Sequence, residues 1–235
     1  MTVPGITVFG QQSHPDWTAG TPIAEDATGF PTDYVALDLE TTGFYPSRCA
    51  ITEIGAVRVR GGRVVDQFQR LINPLCPIPR QITALTGITD AMVADHDPID
   101  GVLPQFISWL ADSNAAAETE PIVGHNVNFD LRFLDYNTRH IAGCGFACAD
   151  YDTMQISRAL FPKQSHHRLA DLIVRFGIAD NEEHRALSDA IQTQQCLEWM
   201  RHYVSEHHES STIRWKQAPA KNSTKILHQQ LVVQR

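Results

Sequence analysis

The stretch Tyr34-Val35-Ala36-Leu37-Asp38-Leu39-Glu40 constrains this chain more than any other. An apolar run of this kind reads as a strand, and along a strand successive side chains point to opposite faces. Asp38 and Glu40 therefore share one face while Leu39 points into the core. Two carboxylates side by side repel and raise each other's pKa, so a fold keeps them together only with something positive between them. A divalent cation meets that need. Taken alone, an Asp-x-Glu more often marks a strand end with two solvated acids.

The 235 residues suffice for one ordinary domain plus tails, without metal or disulfide staples. A hydrophobic share of 43% with 20% charged residues is that of a soluble globular protein. No apolar run is long enough to span a bilayer, and the N-terminus lacks the basic start and apolar block of a secretory signal. No membrane partner is expected, and a cytoplasmic location follows. Five scattered cysteines argue against a disulfide framework, and Cys144 and Cys148 lack a matching second pair for zinc.

The net charge of −8 is unevenly spread: residues 1–32 hold three acids and no Lys or Arg, while residues 210–235 hold five bases and no acid. An acidic body argues against nucleic acid, because Lys and Arg supply most non-specific affinity for phosphate. Acids gathered around bound cations are the exception, since the ions reverse the local field.

Residues 1–32, rich in Pro, Gly, Thr and Ala, read as a flexible leader. After the first strand, Ile51 to Arg60 and Arg63 to Ile72 form a hairpin about Gly61-Gly62. Three prolines make residues 73–79 a connecting arm. Short helical turns follow at Gln81 to Leu85 and Asp90 to Val93, then a helix over Ile99 to Leu110. Pro121 to Asn126 is a short buried strand, followed by a helix carrying Phe129, Phe133, Leu134 and Ile141. A short strand over Ala149 to Asp152 leads to three helices: Thr153 to Leu160, Arg168 to Phe176, and about Ala186 to Val204. This order predicts an α/β fold with a mixed sheet flanked by helices, the body spanning 33–209. Residues 210–235 read as a basic, flexible tail.

Three further residues bear on the two acids. Asp130 sits about one turn into the helix after the strand ending at Gly124, where it can project over the sheet edge. Asp189 belongs to the last long helix, and His184 stands five residues before it. On one helix that offset would set the two side chains roughly 140° apart, so they converge only if His184 lies in the preceding loop. Singly, each has an ordinary reading as a solvated acid or a surface histidine. Together, four carboxylates and one His suit a two-metal site, in which hard cations such as Mg²⁺ or Mn²⁺ take oxygen ligands.

Three segments carry a family likeness: Asp38-Leu39-Glu40-Thr41-Thr42-Gly43, Gly124-His125-Asn126 through Phe129-Asp130, and His184-Arg185-Ala186-Leu187-Ser188-Asp189-Ala190. With Ile51 to Ala56, Leu85 to Thr89 and Tyr151-Asp152-Thr153, they make the chain resemble the DEDD-type 3'-5' exonucleases, the proofreading superfamily with a ribonuclease H-like fold. His184 with four residues before Asp189 resembles the histidine branch, DEDDh; the tyrosine branch has a Tyr with three.

The resemblance implies a metal-dependent 3'-5' exonuclease acting on a nucleic acid with a free 3' end, most simply single-stranded DNA in proofreading or repair. It implies that Asp38, Glu40 and Asp189 hold one of two Mg²⁺ or Mn²⁺ ions, that Asp38 and Asp130 hold the other, and that His184 is the general base. It places Thr41, Gln81, Leu85 and Thr86 against the last nucleotide, with Asn126 and Phe129 lining the cleft; some relatives have His where Thr86 stands. An RNA-trimming enzyme and a scaffold that has lost its chemistry are the alternatives. Residues 210–235 are either a frayed end or a dock for a DNA polymerase or sliding clamp. Glu53 reads as a structurally paired acid rather than a metal ligand.

Overall fold

The computed structural model describes residues 7–9, 29–111, 120–207, 213–217 and 227–233. Its centre is β2 (Tyr34–Thr41), which pairs antiparallel with β3 (Ile51–Arg60) and parallel with β5 (Ile122–Gly124). On one side β3 continues to β4 (Arg63–Leu71); on the other β5 continues to β7 (Ala149–Asp152), giving the order β4-β3-β2-β5-β7. This is the mixed sheet that the sequence predicts. The hairpin between β3 and β4 turns on Gly61 and Gly62 at φ 53° and 77°, the positive values a two-residue type I′ turn requires.

Helices cover both faces. Even-numbered residues of β2 and, from Glu53 onward, odd-numbered residues of β3 face α7 (Ala186–His207), in a core that includes Tyr34, Ala36, Val57, Val59, Leu197 and Met200. The opposite residues, Val35, Leu37, Leu39, Ile54 and Ala56, join a second core with α3 (Ile99–Ala111) and α4 (Asn128–Ala142). Nearly all of β3 is buried, which explains why its polar alternation is imperfect: a strand covered on both faces has no solvent side to mark. By contrast β4 is an edge, with Phe68 its one buried residue. The helices α1 (Arg80–Thr86) and α2 (Asp90–Val93) close a small cluster of Ile78, Ile88 and Val93 with Leu71. Leu71 pairs with Glu53 and Glu53 with Glu40, so this cluster sits at the end of the sheet where the acids stand. The helices α5 (Thr153–Leu160) and α6 (Leu169–Arg175) complete the layer beside α7.

Three features depart from the sequence reading. Phe30, placed in the flexible leader, is fully buried in the core beneath α7, and Arg201 donates to the carbonyl of Pro31, so the packed body begins before residue 33. Thr7–Phe9 (β1) pairs with a strand the reading missed, β6 (Gly145–Ala147). Within the stretch read as a flexible tail, β8 (Ile213–Gln217) and β9 (Leu227–Val233) pair antiparallel, and β9 adds parallel to β7. A free edge beside β7 offers backbone groups that such a strand satisfies. The rest of residues 1–32 and 210–235 lies outside the described residues.

The five cysteines are free, with Cys144, Cys148 and Cys196 buried, as their scatter implied. Among the described residues no helix is long and apolar enough to cross a membrane.

Candidate active site

The register of β2 against β3 puts Asp38 opposite Gly55 and Glu40 opposite Glu53. All four therefore share the face that α7 covers. A Cβ on Gly55 would lie 2.1 Å from the backbone of Ala186 and Leu187, so the start of α7 rests directly on that glycine. The close approach delivers Asp189, in the first turn of α7, to the two strand acids. Asp38, Glu40 and Asp189 each offer a carboxylate oxygen within 4.8 Å of the others. The sequence called for this convergence, and the structure makes it through a missing side chain.

Asp130 comes from the opposite face. It lies in the first turn of α4, is buried, and accepts a hydrogen bond from the Leu39 N–H through Oδ1 at 3.1 Å. That bond ties it to the peptide between the two strand acids, although it stands outside the three-carboxylate group. Asn126, at φ 61°, makes the tight turn from β5 to α4, and its N–H donates to Asp152 Oδ1 at 2.9 Å.

Few groups in the site offset the negative charge. Burial first, then Asp130, Glu40 and Asp189, hold the Asp38 carboxyl well above the ordinary carboxylate range. Burial, with Asp189 and Glu53 next, pushes Glu40 to about 9. Asp189 rises to about 7 through burial and the nearby Glu182. Burial also raises Asp130, against the pull of its backbone hydrogen bonds. Asp189 Oδ1 is buried without a hydrogen-bond partner. Three crowded carboxylates and one orphaned oxygen fit a hard divalent cation, which supplies the opposite charge that favours their ionised forms.

His184 lies in the loop before α7, as its spacing from Asp189 requires, at φ 51°. That left-handed conformation is uncommon for a residue with a Cβ. Its side chain is 35% exposed, and Nδ1 lies 3.5 Å from Glu182 Oε1. Glu182, His184 and Asp189 form a second group with ligand atoms within 4.8 Å. The sequence reading did not single out Glu182, because its only signal was an acid two residues before the histidine.

The residues assigned to the last nucleotide differ in what they leave free. Thr41 donates its hydroxyl to the Gly43 carbonyl at 2.7 Å. The Thr86 hydroxyl donates to the Ile82 carbonyl and accepts from the Ile88 N–H, both at 3.1 Å, and is buried. Both hydroxyls are thus engaged in local turns. Gln81 and Asn126 are exposed, Leu85 is 52% exposed, and Phe129 packs against Phe133 with ring centroids 5.1 Å apart. Sequence reasoning passed over Phe44 and Tyr45, which stand 75% and 62% exposed just after Gly43. An aromatic pair in the turn following Glu40 was the available signal.

Residues 35–197 match the family model described as exonuclease. The chain is 35% identical over 160 residues to the DNA polymerase III subunit epsilon of Aquifex aeolicus, covering 68% of this chain and 76% of that protein. It is 36% identical over 173 residues to the PolC-type DNA polymerase III of Thermotoga maritima, of whose length it spans only 12%. Among solved structures, exonuclease X in complex with 5'-overhanging duplex DNA aligns with a TM-score of 0.56 and 27% identity, over 72% of this chain and 92% of that one. With the mixed sheet and the gathered carboxylates, these likenesses place the chain in the exonuclease family, among the DEDDh-type 3'-5' exonucleases of ribonuclease H-like fold.

Proposed function

We propose that this protein hydrolyses the terminal phosphodiester bond at the 3' end of DNA, single-stranded in preference, and releases nucleoside 5'-monophosphates. The observation that carries this reading is the group of Asp38, Glu40 and Asp189 within 4.8 Å, with the buried Asp189 Oδ1 unsatisfied. Asp38, Glu40 and Asp189 would hold one Mg²⁺ or Mn²⁺ ion, and Asp38 with Asp130 the second. Bound there, such ions supply an activated water and charge stabilisation on the oxygens around phosphorus.

The chain's own residues do the remaining work. His184, at the partly exposed mouth of the site, takes the proton of the attacking water as the water oxygen bonds to phosphorus. The bond from phosphorus to the 3' oxygen of the next nucleotide breaks, and that oxygen leaves with its electron pair and takes a proton from solvent, becoming the new 3' hydroxyl. Phe44 and Tyr45 offer ring faces on which unpaired bases stack whatever their sequence, which supports a single-stranded end. The Asp130 bond to Leu39 keeps the strand end and α4 in register around the reacting phosphate.

A 3'-labelled oligonucleotide incubated with Mg²⁺, with and without EDTA, tests this reading. Metal-dependent release of labelled 5'-mononucleotide is expected, and absence of release defeats it. Matched RNA and duplex ends in the same panel read the substrate class; faster RNA digestion would replace DNA with RNA in the proposal. The polymerase III relatives support a proofreading setting; a polymerase or sliding clamp would then dock through residues 210–235. Pull-down with those residues deleted tests that part, and unchanged capture removes it.

A further inference from the structure

We propose that Glu53, which touches none of the reacting groups, is a positioning residue that sets where His184 stands. The inference rests on the proposed role of His184 as general base.

Glu53 is fully buried on β3, directly across the ladder from Glu40. Its carboxylate accepts from Arg185 Nε at 3.0 Å and Arg185 Nη2 at 2.8 Å, from the Ala186 N–H at 3.1 Å, and from Gln69 Nε2 at 2.8 Å. Three of these bonds fall on the two residues immediately after His184. The Arg185 contact is a bidentate fork, which fixes direction as well as distance. The Ala186 N–H belongs to the first turn of α7 and has no partner within the helix, while the residue before it is an arginine, which cannot cap a helix. Glu53 supplies that cap from another element.

Fold stability alone does not call for such a group. A buried ion pair often contributes no more than well-packed apolar residues of the same volume. What apolar residues cannot do is hold a loop in one orientation. Asp189 has other anchors: α7 rests on Gly55 and buries Ala190, Cys196, Leu197 and Met200. His184 lies outside the helix, its side chain partly exposed, with Glu182 3.5 Å away as a charged partner. The Glu53 fork, one residue away, therefore fixes the backbone on which the histidine stands. Arg185 also stands near enough to Glu40 for that carboxylate to favour its charged form.

A double-mutant cycle tests the assignment. Single-turnover cleavage of 3'-labelled single-stranded DNA at saturating Mg²⁺ is measured for wild type, Glu53→Gln, His184→Ala and the double variant. Glu53→Gln should slow cleavage by ~10–100-fold, the scale of a misplaced catalytic group, with DNA affinity changed less than about threefold. The double variant should be no slower than His184→Ala, because a base already absent cannot be misplaced. Arg185→Lys keeps the charge but loses the fork and leaves the burial of Glu53 intact. It should show a smaller loss with the same non-additivity, and it decides the matter if Glu53→Gln does not fold. Multiplicative losses in both cycles would overturn the positioning role while leaving the general base standing. An unchanged rate in His184→Ala would overturn both.

Discussion

Glu40 and Glu53 face each other across the same ladder, and their surroundings could hardly differ more. Glu53 is wholly buried, yet the chain supplies every partner it needs: a guanidinium, an amide side chain and a helix N–H. Glu40 is partly exposed, and its neighbours Asp189, Glu53 and Asp130 are acids that push its carboxyl to about 9. A buried acid with partners from the chain organises structure. Acids surrounded by acids await a partner from outside. The pair thus separates the proposed positioning carboxylate from the proposed metal ligands more cleanly than burial does.

The largest expected effect comes from the unpartnered side. Asp38→Asn should lower metal-dependent cleavage by at least about 10³-fold, since it removes a ligand shared by both proposed ions. The same change should stabilise the metal-free protein by about 1 kcal/mol in chemical denaturation, because one repelling acid is gone. Loss of stability instead would break the contrast with Glu53. His184→Ala should slow cleavage by ~10²–10⁴-fold, the usual contribution of a general base, and leave Mn²⁺ affinity unchanged in calorimetric titration.

On the partnered side, Glu53→Gln should lower unfolding free energy by about 2–4 kcal/mol, because Arg185 and the α7 N–H lose a charged acceptor. Gly55→Ala sharpens the same point without touching charge. The added methyl would meet the α7 backbone at 2.1 Å, so about 1–3 kcal/mol of stability should be lost and cleavage should fall as Asp189 is pushed away. Wild-type activity in this variant would mean that the glycine contact does not place the aspartate.

The smallest effect is the most diagnostic of charge. Glu40 and Asp189 have folded pKa values raised to about 9 and about 7, above their ordinary carboxylate values. Their contribution to metal-free stability is whole below that ordinary range and is lost as pH climbs through about 7 and then about 9. Added Mg²⁺ opposes the loss, so its gain in Tm should be larger at about pH 8.5 than at about pH 6. Equal gains, read by scanning fluorimetry, would show that the acids do not face the ion.

Much of this site was legible in the sequence because strand periodicity and helix pitch are local rules. Asp38 and Glu40 sharing a face, and His184 preceding α7, follow from counting residues. The approach of α7 to β3 did not, since Gly55 reads as one more small residue until another element is seen to fill its space. Glu53 was legible as a paired acid but not as a latch, its partner being 132 residues away in the chain. Thr41 and Thr86 stood in positions the family likeness gives to substrate, while their hydroxyls close local turns. Local hydrogen bonds of this kind compete with the more distant roles of a threonine hydroxyl. The strands β8 and β9 escaped because the short alternation Ile213-Arg214-Trp215-Lys216 and the apolar Leu231-Val232-Val233 were read as parts of a basic tail, and their pairing depends on the edge that β7 offers.

Calorimetric titration of Mn²⁺ into wild type, Asp38→Ala and Glu53→Gln reads the central claim most directly. Wild type and Glu53→Gln should both take up the ion, with affinities within about tenfold, while Asp38→Ala should lose uptake. Uptake that survives Asp38→Ala, or that vanishes with Glu53→Gln in a folded protein, would contradict the division between acids that await a cation and the acid that holds the loop.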